Sequence, residues 1–153
     1  MNFINHPDTG RAYELAKQYY DTKTFEHAIR VAMYVRSNEF LQERYRIDCI
    51  CLALMHDLLE DTSYSNDTMF ECELGTLSKH HFNQALQLLT KPEDMDYISY
   101  IKRLKTPSDT IRIDARYCAW VVKMADMKDH LAQVGTLTDK LKDKYLEALP
   151  YLL

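Results

Sequence analysis

The sequence predicts an all-α fold, and three observations predict it. Apolar residues recur at helical spacing through most of the chain, and no stretch sustains strict period-2 alternation. Glycine and proline number only 3 and 4, too few for the tight turns of a many-stranded sheet. At 153 residues and 46% hydrophobic composition, the chain suits one domain, 1–153, with a real core, and a mainly disordered chain is excluded.

Each element has its own signal. Ala12, Leu15, Ala16 and Tyr19 form the stripe of a helix over 10–20. Thr24 is a plausible N-cap for a second helix reaching about Leu41, with Ala28, Val31, Ala32 and Val35 as its stripe. A third, from about Arg46 to Leu59, is apolar nearly all round and is the expected central buried helix. The polar run Asp61–Asp67 is a loop. Thr68-x-x-Glu71 has the form of a capping box for a short fourth helix closed by Gly75. A fifth covers 78–90, with Phe82, Ala85, Leu86 and Leu89 on one face. Pro92 is placed to open a sixth, through about Lys105. A long seventh follows from about Asp109 to Gln133 and ends at Gly135. Residues 138–149 make the last.

Charge and composition narrow the function. Lys plus Arg number 19 against 23 acidic residues, a net charge of −4, which is wrong for a general binder of nucleic-acid polymers. The longest apolar run, Cys49–Met55, is too short to span a bilayer, so no membrane association is expected. The first residues lack a basic-then-apolar signal pattern, and a cytoplasmic protein is expected. Cys49, Cys51, Cys72 and Cys118 include no CxxC pair and read as buried, reduced thiols.

The chemistry concentrates on three helices. His56 and Asp57 are adjacent near the C-terminal end of the most apolar helix, and Glu60 and Asp61 follow one turn on. A helix C-terminus already carries negative partial charge, so it is a poor place for three carboxylates. A bound divalent cation would relieve both the repulsion and the burial. An exposed acidic helix end with an ordinary histidine is the other reading. His27 lies beside the stripe of the second helix, either as a ligand or as a satisfied core histidine. Asp126 continues the stripe Ala115, Ala119, Val122, so it needs a partner or a metal unless it sits at the surface. Two imidazoles and two carboxylates suit Mn²⁺, Fe²⁺ or Zn²⁺, with positions left for water and a substrate oxygen.

The order His27, His56-Asp57, Asp126 resembles the HD superfamily of metal-dependent phosphohydrolases, compact all-α bundles named for the His-Asp pair. MHDLLEDT (55–62) resembles the HD-x-x-ED-T signature of the RelA/SpoT-type alarmone hydrolase domain and the stand-alone small alarmone hydrolases. FEHAIRVA (25–32), VVKMADMKDHL (121–131) and LTKPEDMDYISYIKRL (89–104) resemble other segments of that branch, so the resemblance covers nearly the whole chain.

The resemblance implies His27, His56, Asp57 and Asp126 as metal ligands, with Mn²⁺ the usual ion. It implies Glu60 and Asp61 as the pair that positions and deprotonates water, and removal of the 3′-pyrophosphate of guanosine 3′,5′-bis(diphosphate). Negative neighbours would raise the Glu60 carboxyl towards the working range of a general base. Lys123, one turn before Asp126, either meets a substrate phosphate or snorkels from the core edge. Tyr97 and Tyr100 match the branch and are expected in the pocket wall, with helix packing as the alternative. The branch carries Asn where this chain has His130, and a basic pair where this chain offers Lys17 and Lys23. A different nucleotide, or a non-catalytic module binding metal and nucleotide, are the other functions to weigh.

Overall fold

The helix caps decide where the predicted elements begin and end. A computed structural model describes residues 5–65, 67, 69–133 and 135–153. The first helix, α1 (Pro7–Tyr19), starts earlier than its apolar stripe because His6 caps it, accepting from the Asp8 N–H at 3.2 Å. In α2 (Thr22–Arg36) the N-cap is Asp21 rather than Thr24, whose N–H donates to Asp21 Oδ1 at 2.8 Å. A carboxylate is the better acceptor at a helix N-terminus. The helix also stops short of Leu41. The Arg46 guanidinium draws in the carbonyls of Val35, Arg36 and Asn38, at 3.3, 2.7 and 3.1 Å, and closes the end.

Next come a one-turn 3₁₀ segment, Glu43–Tyr45, and α3 (Arg46–Met55), in which every residue from Asp48 to Met55 is buried. The expected central helix is therefore central, packed against α1, α2, α5 (Lys79–Leu88) and α7 (Ile113–Ala132). Each fully buried leucine, such as Leu52 or Leu54, contributes roughly 1.5–3 kcal/mol of transfer free energy.

This helix does not run to Leu59. It breaks at His56 and Asp57, and a single turn, α4 (Leu58–Asp61), follows. His56 Nδ1 donates to its own helix at the Ala53 carbonyl, 2.6 Å away. The Asp57 N–H, which would have continued the ladder, donates instead to the Tyr20 hydroxyl at 3.1 Å.

The short fourth helix expected from Thr68-x-x-Glu71 is absent from the described residues of 69–77, and Thr68 itself lies outside them. The segment is held by two buried carboxylates instead. Asp8 accepts from the N–H groups of Glu73 and Leu74 at 2.9 and 2.7 Å, and Asp48 from those of Thr76 and Leu77 at 2.8 and 3.1 Å. Amides turned towards side chains cannot also close helical turns. Gly75 is required there, because a Cβ would collide with the Asp48 carboxylate.

After α5, capped by Ser78, residues 92–95 form a turn, and α6 (Tyr97–Lys102) starts at the Asp96 cap rather than at Pro92. The long α7 begins at Ile113, later than Asp109, and its C-cap is Gln133, not Gly135. Capped by Thr138, α8 (Asp139–Ala148) runs into a 3₁₀ turn, Leu149–Tyr151. Trp120 ties that end to α7 by donating to the Leu152 carbonyl at 2.7 Å.

The described residues are helical and irregular, with no strand, and their buried apolar side chains form a continuous core. The all-α prediction holds. The four cysteines are free and buried. Among the described residues, no helix is long and apolar enough to cross a membrane.

Candidate metal centre

The break after α3 turns His56 and Asp57 towards α2 and α7. His56 Nε2 lies 3.1 Å from Asp57 Oδ2 and 3.2 Å from Asp126 Oδ1. His27, buried on α2, brings its Nε2 to 2.8 Å from the same Asp126 oxygen and 3.9 Å from Asp57 Oδ2. The structure thus gathers His27, His56, Asp57 and Asp126, taken from distant parts of the chain.

Both imidazoles are held from behind. His27 Nδ1 lies 2.6 Å from Asp129 Oδ2, and Asp129 is itself fixed by the Arg30 guanidinium at 2.8 Å. His56 Nδ1 is committed to Ala53. A hydrogen bond at one ring nitrogen sets the tautomer and leaves the other free to donate its lone pair, the usual support of a metal-bound histidine. This donor set fits a divalent cation. His27, His56 and Asp57 form one group able to hold a metal, and His27, Asp126 and His130 another.

The electrostatics of the site agree with that fit. His27 has carboxylate oxygens at both ring nitrogens, an arrangement that only the imidazolium satisfies. Burial alone would push His27 and His56 down. The Asp126 bond to His27, and the Asp57 charge beside His56, outweigh it, so both sit above the ordinary histidine value. Burial likewise works against ionised Asp126, yet Lys123 and the surrounding imidazoles hold its carboxyl well below the usual range.

Lys123 is buried, with its Nζ 2.9 Å from Asp126 Oδ2 and over the Tyr97 and Tyr100 rings at 5.9 and 5.1 Å. It does not snorkel to solvent. Asp126 is therefore left one oxygen, Oδ1, facing the histidines. Tyr100 is 2% exposed and donates to the Leu89 carbonyl at 2.8 Å, the packing arrangement weighed for it above. Tyr97 differs. Its hydroxyl is buried without a hydrogen-bond partner, and Lys144 Nζ lies 4.3 Å from the centre of its ring.

Glu60 and Asp61 occupy α4, immediately after the ligating turn. Glu60 is exposed and accepts from the Lys91 N–H at 3.3 Å. Asp61 has an exposed edge, but desolvation, then the Asp57 and Glu60 charges, push its carboxyl up to about 6. The proton affinity of Asp61 is thus displaced towards neutrality.

His130 approaches the cluster directly. Its Nε2 lies 3.2 Å from Asp126 Oδ1, and its ring stacks on Tyr145 of α8 at 4.8 Å. A cavity of about 370 Å³ opens beside His27 and His130, with Lys23, Arg30, Asp129 and Tyr145 in its wall. Lys17 is exposed near the end of α1 and is not among the residues of that wall. A larger cavity of about 710 Å³, lined by Val35, Phe40, Met124, Met127 and their neighbours, holds none of the predicted site residues.

Sequence reasoning missed Asp129, Arg30, Tyr145 and the hydrogen bond from the Asp57 N–H to the Tyr20 hydroxyl. Asp129 was within reach, since it continues the buried stripe one turn beyond Asp126. The Tyr20 and Tyr145 contacts join segments far apart in the chain, and no spacing announces them. The chain matches no protein-family model and no curated protein.

Proposed function

We propose that the protein is a metal-dependent phosphohydrolase of a phosphorylated nucleotide, with guanosine 3′,5′-bis(diphosphate) as substrate: water attacks the phosphorus bonded to the 3′-oxygen, that P–O bond breaks with the 3′-oxygen as leaving group, and pyrophosphate is released. One observation carries the reading: two buried, oriented imidazoles and two carboxylates meet beside an acidic pair that the ligand set does not use. A purely structural metal site has no need of Glu60 and Asp61. The resemblance of MHDLLEDT and VVKMADMKDHL to the alarmone branch of the HD superfamily supports the substrate class.

His27, His56, Asp57 and Asp126 hold the ion, Mn²⁺ by that resemblance. Such an ion supplies a lowered water pKa and a charge that polarises a phosphoryl oxygen. Asp129 and the Ala53 carbonyl keep the two imidazoles oriented. Lys123 neutralises Asp126 from the far side and so acts on the ligand rather than on a phosphate. Asp61, with Glu60 beside it, takes the proton of the attacking water. Lys23 and Arg30, with Glu26 and Asp129 beside them, stand in the wall of the neighbouring cavity, to which we assign the phosphorylated ligand.

The test is incubation of the Mn²⁺-loaded protein with guanosine bis(diphosphate), its adenine counterpart, common nucleotides and an aryl phosphate, with chromatographic separation of the products. Pyrophosphate release is expected. Glu60→Gln and Asp61→Asn should each lower turnover by about 10²–10⁴-fold at unchanged metal content. Inertness towards every nucleotide, or parental rates in both variants, would overturn the assignment.

A further inference from the structure

The position where the resembled branch has asparagine holds a histidine whose ring nitrogen lies 3.2 Å from Asp126 Oδ1, beside the candidate metal donors. Asp126 and His130 are one turn apart on α7, so both side chains leave the same helix face. His130 Nε2 and His56 Nε2 each lie 3.2 Å from Asp126 Oδ1, and His27 Nε2 lies 2.8 Å away. Donors on adjacent vertices of an octahedron with bonds of about 2.1 Å are separated by about 3 Å. Three imidazole nitrogens therefore surround a single carboxylate oxygen at the spacing of neighbouring ligands. His27, Asp126 and His130 make a metal-capable group without His56 or Asp57.

The ring is also placed, not loose. Tyr145 stacks on it at an interplanar angle of 15°, and the His27 ring lies 4.5 Å away. The side chain keeps 35% of its surface exposed, which puts it at the open edge of the site, beside the 370 Å³ cavity.

We propose that His130 is a metal ligand in this protein, a third imidazole added to His27 and His56. The inference rests on the metal-centre reading above. It has a chemical consequence. Imidazole donors favour Co²⁺, Zn²⁺ and Ni²⁺, whereas oxygen donors favour Mn²⁺. His130 therefore strengthens binding of the first group more than binding of Mn²⁺, and it takes a coordination position that an asparagine would leave open to water or substrate.

The experiment uses the full chain loaded with Co²⁺, whose paramagnetism shifts the proton resonances of coordinated imidazoles. Calorimetric titration of Co²⁺ and Mn²⁺ accompanies it. Three shifted imidazole N–H signals are expected in the parent and two in His130→Asn. That variant should lose at least about 100-fold in Co²⁺ affinity, with a smaller loss for Mn²⁺. His130→Phe keeps the stacking on Tyr145, so folding can be checked separately by its thermal transition. It should fold normally and show the same metal defect. Two signals in the parent, with affinities unchanged in His130→Asn, would overturn the ligand role and leave the metal centre standing. No binding of either ion by the parent would overturn both.

Discussion

Asp8 and Asp48 are as deeply buried as Asp126 and Asp129, yet their surroundings differ in kind. Asp8 and Asp48 are met by backbone amides of 73–77, and Asp8 also by Arg11 at 2.8 Å. Amides carry no exchangeable charge, so these partners are present at every pH, and the arrangement serves to pin a loop. Asp57, Asp126 and Asp129 are met mainly by side chains, three of them histidines, and two of these, His27 and His56, have acceptors at both ring nitrogens, which only the imidazolium satisfies. A buried carboxylate answered by amides is a structural anchor. One answered by imidazoles is a place where a cation can replace protons.

Four changes would break or sharpen this contrast. The largest effect is expected for His56→Ala, which removes a fully buried donor. Metal affinity should fall by more than about 100-fold, beyond the loss typical of outer-shell changes. Calorimetry on the refolded variant checks it, and His80→Ala is the exposed-histidine control. Retained affinity would place the ion elsewhere.

Asp8→Ala acts on the other region. It leaves the Glu73 and Leu74 amides without their acceptor and removes one of the acceptors of Arg11, and a loss of about 2–4 kcal/mol of stability is expected at unchanged metal affinity. The sign with pH is also determined. Burial would raise the Asp8 carboxyl, but the Leu74 and Glu73 amides with Arg11 hold it below its ordinary value. Its stabilisation is therefore present above about pH 4 and lost as pH falls through the lower folded value. Denaturant titrations of parent and variant should converge towards acid. A constant difference down to pH 2 would contradict the assignment.

Asp129→Asn tests orientation of a ligand rather than ligation. Metal affinity should drop by about 10–100-fold, because the amide cannot hold His27 Nδ1 and Arg30 as a carboxylate does. An unchanged affinity would make Asp129 only an anchor for Arg30.

The smallest effect is expected for Asp61→Asn in the metal-free protein. A carboxyl raised to about 6 contributes stability that is present below its ordinary value and lost as pH rises through 6. The variant should thus be slightly more stable than the parent above pH 6 and no more stable at pH 4. The gain should be under about 1 kcal/mol, since the exposed edge lets solvent screen the charge. Thermal melts at the two pH values decide it.

Local periodicity was enough to determine the all-α class, the central place of residues 46–55 and the burial of Asp126, because burying one face at helical spacing leaves its mark within a few residues. It also marked out His27, His56 and Asp57 as unusual positions. What tertiary structure alone decided were the interruptions and the partners. The helix after Met55 breaks because the Tyr20 hydroxyl, brought in from another segment, accepts the Asp57 amide. Residues 69–77 are not helical because Asp8 and Asp48, remote in sequence, take their N–H groups. Lys123 turned inward because Asp126 and two tyrosine rings receive it. His130 is held beside Asp126 because Tyr145 of the last helix stacks on its ring. Hydrogen bonds between distant segments leave no periodic trace in the chain, so they become visible only when the helices pack.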